Sequence, residues 1–322
     1  MTKPTNSSHL KFDGRISSYY GILLLNLVLS IVTFGIYIFW AKVRFRKYST
    51  SSFSLLGDRL EYTGTGGELF KGFIKAFLFL LIIMLFYTIS SQLIATIFGI
   101  DKNIVQDLIS TALLALYIFI YFASTYLIIR YRYSRTTWRG IRGSLSGSAK
   151  HFAILSVYRI FLNIISFGYL IPHSQLKTKG YIINNSYFGN AKAEFVGTEK
   201  SLIKINIITL FLLIPTLGIA RLWYFSALTK YIFTNTQIAS ARMVVKYTGG
   251  KLFILFITNL LILIFTLGLG FPVIIWRNFR FFAQNVAIIG NIDVSTIEQS
   301  RNGGNSFGEG INDVADMGIN LI

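Results

Sequence analysis

Cysteine is absent from this 322-residue chain, and groups that do acid–base or metal chemistry are scarce, with 13 Asp+Glu and 3 His. Without cysteine there is no disulfide, no thiolate nucleophile and no cysteine-ligated zinc or iron–sulfur centre. The histidines, His9, His151 and His173, are scattered and form no metal-binding motif. No nucleophile–base set or cofactor motif is recognisable either. We therefore expect no metal, no cofactor and no enzymatic activity.

Charge of either sign is also low, because charged residues make up 14% of the chain and hydrophobic residues 53%. A soluble domain carries about a quarter charged residues. The apolar residues are clustered in runs of about 20 residues, the length that a membrane-spanning helix needs. The sequence thus predicts a mainly α, polytopic membrane protein with about six apolar helical segments. These segments are 19–41, 73–98, 108–129, 152–172, 202–228 and 252–276.

The charges that remain are mostly positive, with 31 Lys+Arg and a formal net charge of +18. They flank the apolar segments, as expected of the cytoplasmic loops of membrane proteins. Connectors 42–72 and 130–151 are basic, whereas 99–107 carries Lys102 against Asp101 and Asp107. We therefore expect 99–107 outside the cell and the basic connectors on the cytoplasmic face of the membrane, with anionic lipids as partners. No nucleic-acid module is recognisable, and a homo-oligomer is compatible with the sequence.

An internal repeat is visible in four Thr/Ser–apolar–Gly triplets. Each triplet lies 17 or 19 residues after a hydrophobic–x–Gly signature, and an aromatic residue follows 15 residues after the triplet begins. The triplets begin at Thr33, Ser166, Thr216 and Thr266, and the aromatic residues are Tyr48, Tyr181, Tyr231 and Phe281. This spacing predicts four repeats of about 50 residues. Connectors rich in β-branched and aromatic residues, such as 53–62 and 241–247, predict short β-strands.

The repeats divide the chain into seven regions. An N-terminal polar segment occupies 1–18 and repeat 1 occupies 19–72. A transmembrane hairpin inserted at 73–144 precedes repeat 2 (145–194), repeat 3 (195–246) and repeat 4 (247–298). An acidic tail at 299–322 is expected to be disordered.

Two topologies are compatible with these repeats. Single spans place equivalent strands on alternate faces of the membrane, as in inverted-repeat transporters. Alternatively, each triplet marks the tip of a re-entrant hairpin, which places all strands on one cytoplasmic face. The basic connectors and the roughly 21 Å length of a 14-residue helix favour the second topology. The first topology applies if each apolar segment is an ordinary continuous helix that tolerates the triplet glycine.

Several sequence motifs carry a family resemblance. TFGIYIFWAKVRFRKY followed by YTGTGGELFKG, and later TWRGIRGSLSG and TLGIARLWYFSALTKYIF, occur in order between about Phe12 and Asp293. In these motifs the chain resembles the YjgN-like (DUF898) family of bacterial inner-membrane proteins. The resemblance implies a multi-pass inner-membrane location. It implies no activity, because the function of that family is unknown.

Polar residues inside the apolar segments are the candidate functional residues, because ionisable groups are rare within a bilayer. Arg159 and Arg221 could bind an anionic solute or a lipid phosphate. Four asparagines, Asn26, Asn163, Asn206 and Asn259, could line a pathway or join helices by hydrogen bonds. The triplet glycines Gly35, Gly168, Gly218 and Gly268 are candidate hinges.

Two functions are compatible with the sequence, and the first is preferred because transporters are common among polytopic bacterial membrane proteins. The first is transport of a small, anionic solute through a core built of repeats. The second is a non-transporting membrane scaffold whose basic cytoplasmic face binds lipid head groups or partner proteins. Repeats and arginines in apolar segments favour transport. The absence of Asp and Glu from those segments and the one-sided basic connectors favour the scaffold.

Overall fold

The computed structural model describes residues 7–239, 241–290 and 297, and paired helices alternate with short strands through this part of the chain. The helices are α1 (Ile16–Val32), α2 (Ile38–Ser51), α3 (Gly66–Phe98), α4 (Lys102–Ser134), α5 (Ala149–Ile165), α6 (Ile171–Asn184), α7 (Lys200–Phe211), α8 (Arg221–Thr234), α9 (Gly249–Phe265) and α10 (Phe271–Asn285). The strands are β1 (Ser7–His9), β2 (Lys11–Phe12), β3 (Phe53–Leu55), β4 (Asp58–Tyr62), β5 (Thr136–Trp138), β6 (Ile141–Leu145), β7 (Ser186–Phe188), β8 (Ala191–Phe195), β9 (Thr236–Ile238), β10 (Ala241–Val245) and β11 (Val286–Ile289). The predicted acidic tail 299–322 and the first six residues of the N-terminal segment lie outside the described residues.

Helices α3 and α4 form a long hairpin and confirm the predicted segments 73–98 and 108–129. Each has 33 residues, and their most apolar windows have mean hydropathies of 2.3 and 2.2. At 1.5 Å per residue each helix is about 50 Å long, more than a hydrocarbon core of about 30 Å requires. Large apolar side chains along both helices are exposed. In the described residues these two helices are the ones long and apolar enough to cross a membrane.

The other four predicted segments are not continuous helices, so the prediction of about six apolar helical segments is wrong for them. Each segment breaks at its triplet into two antiparallel helices: α1–α2, α5–α6, α7–α8 and α9–α10. In α1–α2, for example, the Asn26 side chain donates to the Ala41 carbonyl and Tyr19 lies against Ser49. We call these pairs the four short hairpins.

Local chemistry explains why a helix ends at each triplet. The second triplet residue has a left-handed backbone, and the N–H of the following glycine bonds to the carbonyl five residues earlier, as from Gly35 to Ser30 at 2.7 Å. This is the Schellman ending of a helix. The Thr33 hydroxyl completes the turn, because it donates to the Leu29 carbonyl at 2.7 Å and accepts from the Tyr37 N–H at 2.9 Å.

The strands form one closed antiparallel ring. The order of the 11-stranded sheet runs β2, β3, β4 and onward to β11 and β1. Strands β1 and β2 are consecutive parts of one N-terminal segment, so the sheet closes on itself through residues 7–12. Near the same seam, the Trp276 indole N–H donates to the Gly14 carbonyl at 2.6 Å. The predicted strands at 53–62 and 241–247 are confirmed as members of this ring.

All helix pairs leave the ring at the same edge. The strands are antiparallel neighbours, and within each pair, such as β3–β4, the tight turn lies at one edge and the helices attach at the other. At the turn edge, Leu56 and Gly57 both have positive φ, as do Arg139 and Gly140. These are the two-residue turns that match the twist of a β-hairpin.

One backbone hydrogen bond recurs at every junction between ring and helices. The N–H of a residue just after a strand donates to a carbonyl at the C-terminal end of the second helix of the pair, either that of the last helical residue or that of the residue after it. The bonds are Asp13 to Ser52, Thr63 to Arg135, Ser146 to Asn185, Val196 to Asn235 and Lys246 to Asn285. Four of these pairs are 39 residues apart, and the pair that brackets the long hairpin is 72 apart. The long hairpin therefore has the same junction as the short ones.

The core consists of several apolar clusters at the contacts between neighbouring hairpins and the ring. One cluster, for example, joins Phe39 and Val43 of α2 to Tyr62 of β4, Leu69 of α3 and Tyr131 of α4. Three further clusters follow along the chain in the same way. Packing therefore concentrates in the part of each hairpin near the ring, and the distal parts present apolar side chains outward.

Candidate functional site

The tips of the four short hairpins expose bulky apolar side chains. Phe34 is 98% exposed, and Phe167, Leu217 and Leu267 are each 92% exposed. Each of the four has φ between 48° and 50°, a left-handed conformation that bulky residues rarely adopt. We call these four residues the apolar tips. A large apolar residue held at a fully exposed turn is the opposite of the glycine or asparagine that usually occupies this position.

The tip of the long hairpin is polar instead. Helix α3 ends at Phe98 and is capped by Gly99, which has φ of 64°, and Asp101 caps α4 by accepting from the Asn103 N–H at 2.7 Å. Lys102 and Asp107 lie in the same region and are exposed. Each of these groups needs water or a charged partner, since a bilayer core offers neither. The two kinds of tip therefore suit different surroundings.

The short hairpins are also shorter than a bilayer. On α1, large exposed apolar side chains run from Leu24 to the tip at Phe34, and on α9 and the turn after it they run from Ile254 to Leu267. At 1.5 Å per residue these stretches rise about 15 and about 20 Å. That is enough to enter one leaflet, because half of a hydrocarbon core is about 15 Å, and too little to cross both.

The four asparagines predicted as site residues lie between the two helices of their own hairpins or against the tip of the preceding hairpin. Asn26 and Asn206 are buried, at 7% and 0% exposure. Asn206 donates to the carbonyls of Gly168 and Tyr169, at the tip of the preceding hairpin. Asn163 accepts from the Ser174 hydroxyl at 2.9 Å. These contacts match the packing alternative, in which interhelical hydrogen bonds join the helices.

The predicted arginines have different surroundings. Arg221 donates to the Asn206 Oδ1 at 3.2 Å, so the structure brings together two predicted residues. Arg159 lies 3.5 Å from the Thr178 hydroxyl, at the limit of a hydrogen bond. Arg277 was not predicted from the sequence; it donates to the Asn259 Oδ1 at 3.0 Å and to the Thr258 hydroxyl at 2.6 Å. The signal was available, because Arg277 directly follows Trp276 at the end of an apolar segment.

The four predicted hinge glycines are the residues next to the apolar tips. Gly35, Gly168, Gly218 and Gly268 have φ between 83° and 88°, where a Cβ is strained. For three of them no neighbouring atom would lie within 4 Å of an added Cβ, so there is space for a side chain. Glycine is favoured at these positions by the backbone conformation and not by lack of space. A hinge motion at these glycines stays a prediction.

Basic residues surround the ring-side halves of the helices. The exposed ones, which we call the basic belt, are Arg44, Lys47, Lys71, Lys150, Lys177, Lys200, Lys204, Lys230, Lys251 and Arg280. Several ring arginines have carboxylate partners: Arg59 with Asp13, Arg139 with Asp58 at 2.5 Å, and Arg135 with Glu68 at 3.0 Å. Burial opposes ionisation of Arg135, but the Glu68 carboxylate and Tyr131 raise its pKa overall. In contrast, bonding to its own backbone N–H and to His173 lowers the pKa of Glu199.

Metal-binding residues do not cluster in the described part of the chain, where no group of three or more His, Asp or Glu could hold an ion. The features that stand out are therefore the apolar tips, the long hairpin with its polar tip, and the basic belt between them and the ring.

Comparison with known proteins places this arrangement among bacterial membrane proteins. The profile of a family described as bacterial protein of unknown function (DUF898) matches residues 7–227 and 205–314. Proteins named inner membrane protein YjgN from Escherichia coli O157:H7 and strain K12 are each 24% identical over 246 residues, which is 76% of this chain and 54% of theirs. The protein of that name from Salmonella typhimurium LT2 is 32% identical over 93 residues, 29% of this chain and 22% of its own. The chain thus spans about half the length of these two Escherichia coli relatives. No solved structure matches it significantly.

Proposed function

The chain belongs to the DUF898 family, and we propose that it is a non-transporting membrane scaffold that binds anionic lipid head groups through a basic cytoplasmic face. Its relatives are named inner membrane proteins, and two of its helices are long and apolar enough to cross a bilayer. It is accordingly an inner-membrane protein.

The contrast between the two kinds of hairpin tip carries the proposal. The long hairpin crosses the bilayer and exposes Asp101 and Lys102 to water on the far side. The four short hairpins enter only the near leaflet, where hydrocarbon covers the apolar tips. Burying a side chain such as Phe34 or Leu217 in hydrocarbon contributes about 1.5–3 kcal/mol, which offsets the roughly 1–2 kcal/mol of left-handed strain. This is the re-entrant topology, and it places every strand of the ring on one face.

The basic belt is the part of this face that binds anionic lipid head groups. Residues such as Lys47, Lys230 and Lys251 lie on helix segments between the apolar stretches and the ring, which is the depth of the lipid phosphates in this topology. Each Lys or Arg near an anionic leaflet contributes about 1 kcal/mol. The positive-inside rule then places the ring in the cytoplasm.

The recurrence of the junction bond supports a further part of the proposal, the division into repeats. The predicted repeats 145–194, 195–246 and 247–298 each contain one short hairpin and ring strands, and 19–72 contains α1–α2 apart from the first three residues of α1. Because Thr63 and Arg135 form the same bond around 73–144, we treat the long hairpin as a fifth, lengthened unit rather than as an insertion.

Single-cysteine labelling tests the topology, since the chain has no native cysteine. Cysteine at Asn103 is expected to react with an impermeant maleimide from outside intact spheroplasts. Cysteine at Leu56, on the turn edge, is expected to react only in inverted vesicles. Cysteine at Phe34 or Leu217 is expected to react from neither side until detergent is added. Labelling of a tip cysteine from outside contradicts the re-entrant topology.

Lipid analysis tests the scaffold role. Lys47→Gln, Lys230→Gln and Lys251→Gln combined are expected to lower the fraction of anionic phospholipid that co-purifies with the protein. Lys102→Gln, at the far tip, is the matched control and is expected to leave that fraction unchanged. Equal lipid fractions in both variants contradict a basic lipid-binding face.

Transport of a small anionic solute is the second candidate, favoured by the guanidinium groups of Arg159 and Arg221 inside apolar hairpins. It predicts solute efflux from proteoliposomes that Arg159→Ala and Arg221→Ala abolish. The scaffold proposal predicts no efflux above that of empty liposomes.

A further inference from the structure

We propose that this protein bends the membrane, acting as a rigid wedge that expands the cytoplasmic leaflet and favours membrane whose cytoplasmic face is convex. This inference rests on the re-entrant topology proposed above and adds a physical activity to it.

The wedge follows from the number of helices in each leaflet. All five helical hairpins leave the same edge of the ring, so ten described helices enter the leaflet next to it. Only α3 and α4, with 33 residues each, continue into the far leaflet. Each helix is about 10–12 Å across with its side chains. The protein therefore displaces several times more lipid area from one leaflet than from the other.

The ring prevents the hairpins from relieving this asymmetry. Each hairpin is fixed at both ends by adjacent strands and by the junction hydrogen bond, as between Ser146 and Asn185. The ring has no free edge at which it could open, because residues 7–12 pair with β11 on one side and β3 on the other. Neighbouring hairpins also share apolar clusters, such as the one that contains Leu176, Leu202 and Tyr224. The bilayer then has to deform around the protein, since the close-packed assembly resists distortion.

The first and last hairpins, which meet where the ring closes, are also joined by a contact between their helices. The Tyr20 hydroxyl of α1 donates to the Leu269 carbonyl, which lies beside the apolar tip of α9–α10, at 3.0 Å. The first and last hairpins are thus neighbours, and the short hairpins and the long one surround a common centre. A closed set of hairpins expands the leaflet equally in all directions within the membrane plane. It therefore favours a dome-like convex surface over one that is curved along a single direction.

Membrane tubes pulled from giant vesicles test the inference with the full chain. Asn103→Cys provides one fluorophore site at the polar tip, and accessibility to a membrane-impermeant quencher reports whether the ring faces the outside or the inside of each vesicle. Protein with the ring outside is expected to be enriched in the tube, with a tube-to-plane density ratio above one. Protein with the ring inside is expected to be depleted, with a ratio below one, so the reversed orientation is the control.

Two failures are distinguishable. A density ratio of one in both orientations, while cysteines at Phe34 and Leu217 stay unreactive before detergent, overturns the wedge and leaves the re-entrant scaffold intact. Tip cysteines that react from the outside overturn the re-entrant topology, and the wedge with it. A ratio that departs from one in the same direction for both orientations also overturns the wedge, because leaflet asymmetry requires the sign to reverse.

Discussion

The long hairpin and the short hairpins have the same junction with the ring, but their tips have opposite chemistry. Thr63 and Arg135 bracket α3–α4 with the bond that Val196 and Asn235 form around α7–α8. At the far end, Asp101 caps a charged, exposed turn, whereas Leu217 stands 92% exposed in a left-handed conformation. The comparison indicates that the turn at each tip matches the surroundings that the re-entrant topology proposes for it: a polar tip in water and apolar tips in hydrocarbon.

A charge at an apolar tip is the strongest way to break this comparison. Leu217→Asp places a carboxylate where we propose hydrocarbon, at a cost of about 2.5–3.5 kcal/mol for insertion. We expect a large loss of folded protein, measured by size-exclusion chromatography after extraction from membranes. Asn103→Asp adds the same charge at the polar tip and is expected to be recovered like wild type. Equal recovery of the two variants contradicts the assignment of the tips.

The backbone at the short tips gives the next largest effect. Gly218 has φ of 86°, so Gly218→Ala is expected to destabilise the protein by about 1–2 kcal/mol. A loss of that size lowers the melting temperature by several degrees, which thermal unfolding in detergent can measure. Gly67→Ala in α3 is the control, since that glycine is helical and has open space around its Cβ position. It is expected to stabilise the helix slightly. A lower melting temperature for Gly67→Ala than for Gly218→Ala contradicts the strain argument.

The hydroxyl of the triplet sharpens the comparison further. Thr216 bonds both the Leu212 carbonyl and, at 3.1 Å, the Ala220 N–H, so it joins the two helices across the turn. Thr216→Val keeps the side-chain shape and removes both bonds, for an expected loss of about 1 kcal/mol. In the long hairpin, Thr96 bonds only its own helix at the Gln92 carbonyl, so Thr96→Val serves as control and is expected to change stability less. Equal melting temperatures for the two variants would show that the second bond is without effect.

Much of this fold could be predicted from sequence because its determinants are local. Runs such as 73–98 exceed the length of a bilayer, and the Thr/Ser–apolar–Gly spacing located the tips of all four short hairpins. Sequence could not decide between hairpins and single spanning helices, because a triplet such as Thr33-Phe34-Gly35 is also tolerated within a continuous apolar helix. What decides the fold there is the left-handed conformation of Phe34, which hydropathy does not report.

The ring and the candidate site were harder to predict. Strand pairs such as β3–β4 are local, whereas closure of the sheet depends on residues 7–12 meeting both β3 and β11, a contact across the whole chain. Among the site residues, the pairing of Arg221 with Asn206 joins positions that are 15 residues apart on different helices. The apolar tips were visible only as the middle letters of the triplets, and their exposure depends on the three-dimensional turn.

The smallest predicted effect concerns the aromatic residue that follows each triplet. The Tyr181 hydroxyl accepts from the Ser148 N–H at 2.8 Å, and Tyr48 and Tyr231 make the same contact with residues 33 positions earlier. In the long hairpin the Tyr131 hydroxyl instead donates to the Glu68 carboxylate at 2.7 Å. Tyr181→Phe is expected to lower stability by about 0.5 kcal/mol, because the backbone N–H of Ser148, the residue that caps α5, loses its partner.

The last unit provides the reciprocal test. Phe281 stands at the corresponding position without a hydroxyl and packs against Tyr247 at a ring-centroid distance of 5.4 Å. If the hydroxyl contact is a shared feature of the short hairpins, Phe281→Tyr restores it and raises the melting temperature, while Tyr181→Phe lowers it. If Phe281→Tyr lowers the melting temperature as well, the aromatic position serves packing alone, and the hydroxyl contacts of Tyr48, Tyr181 and Tyr231 are consequences of the fold rather than causes of it.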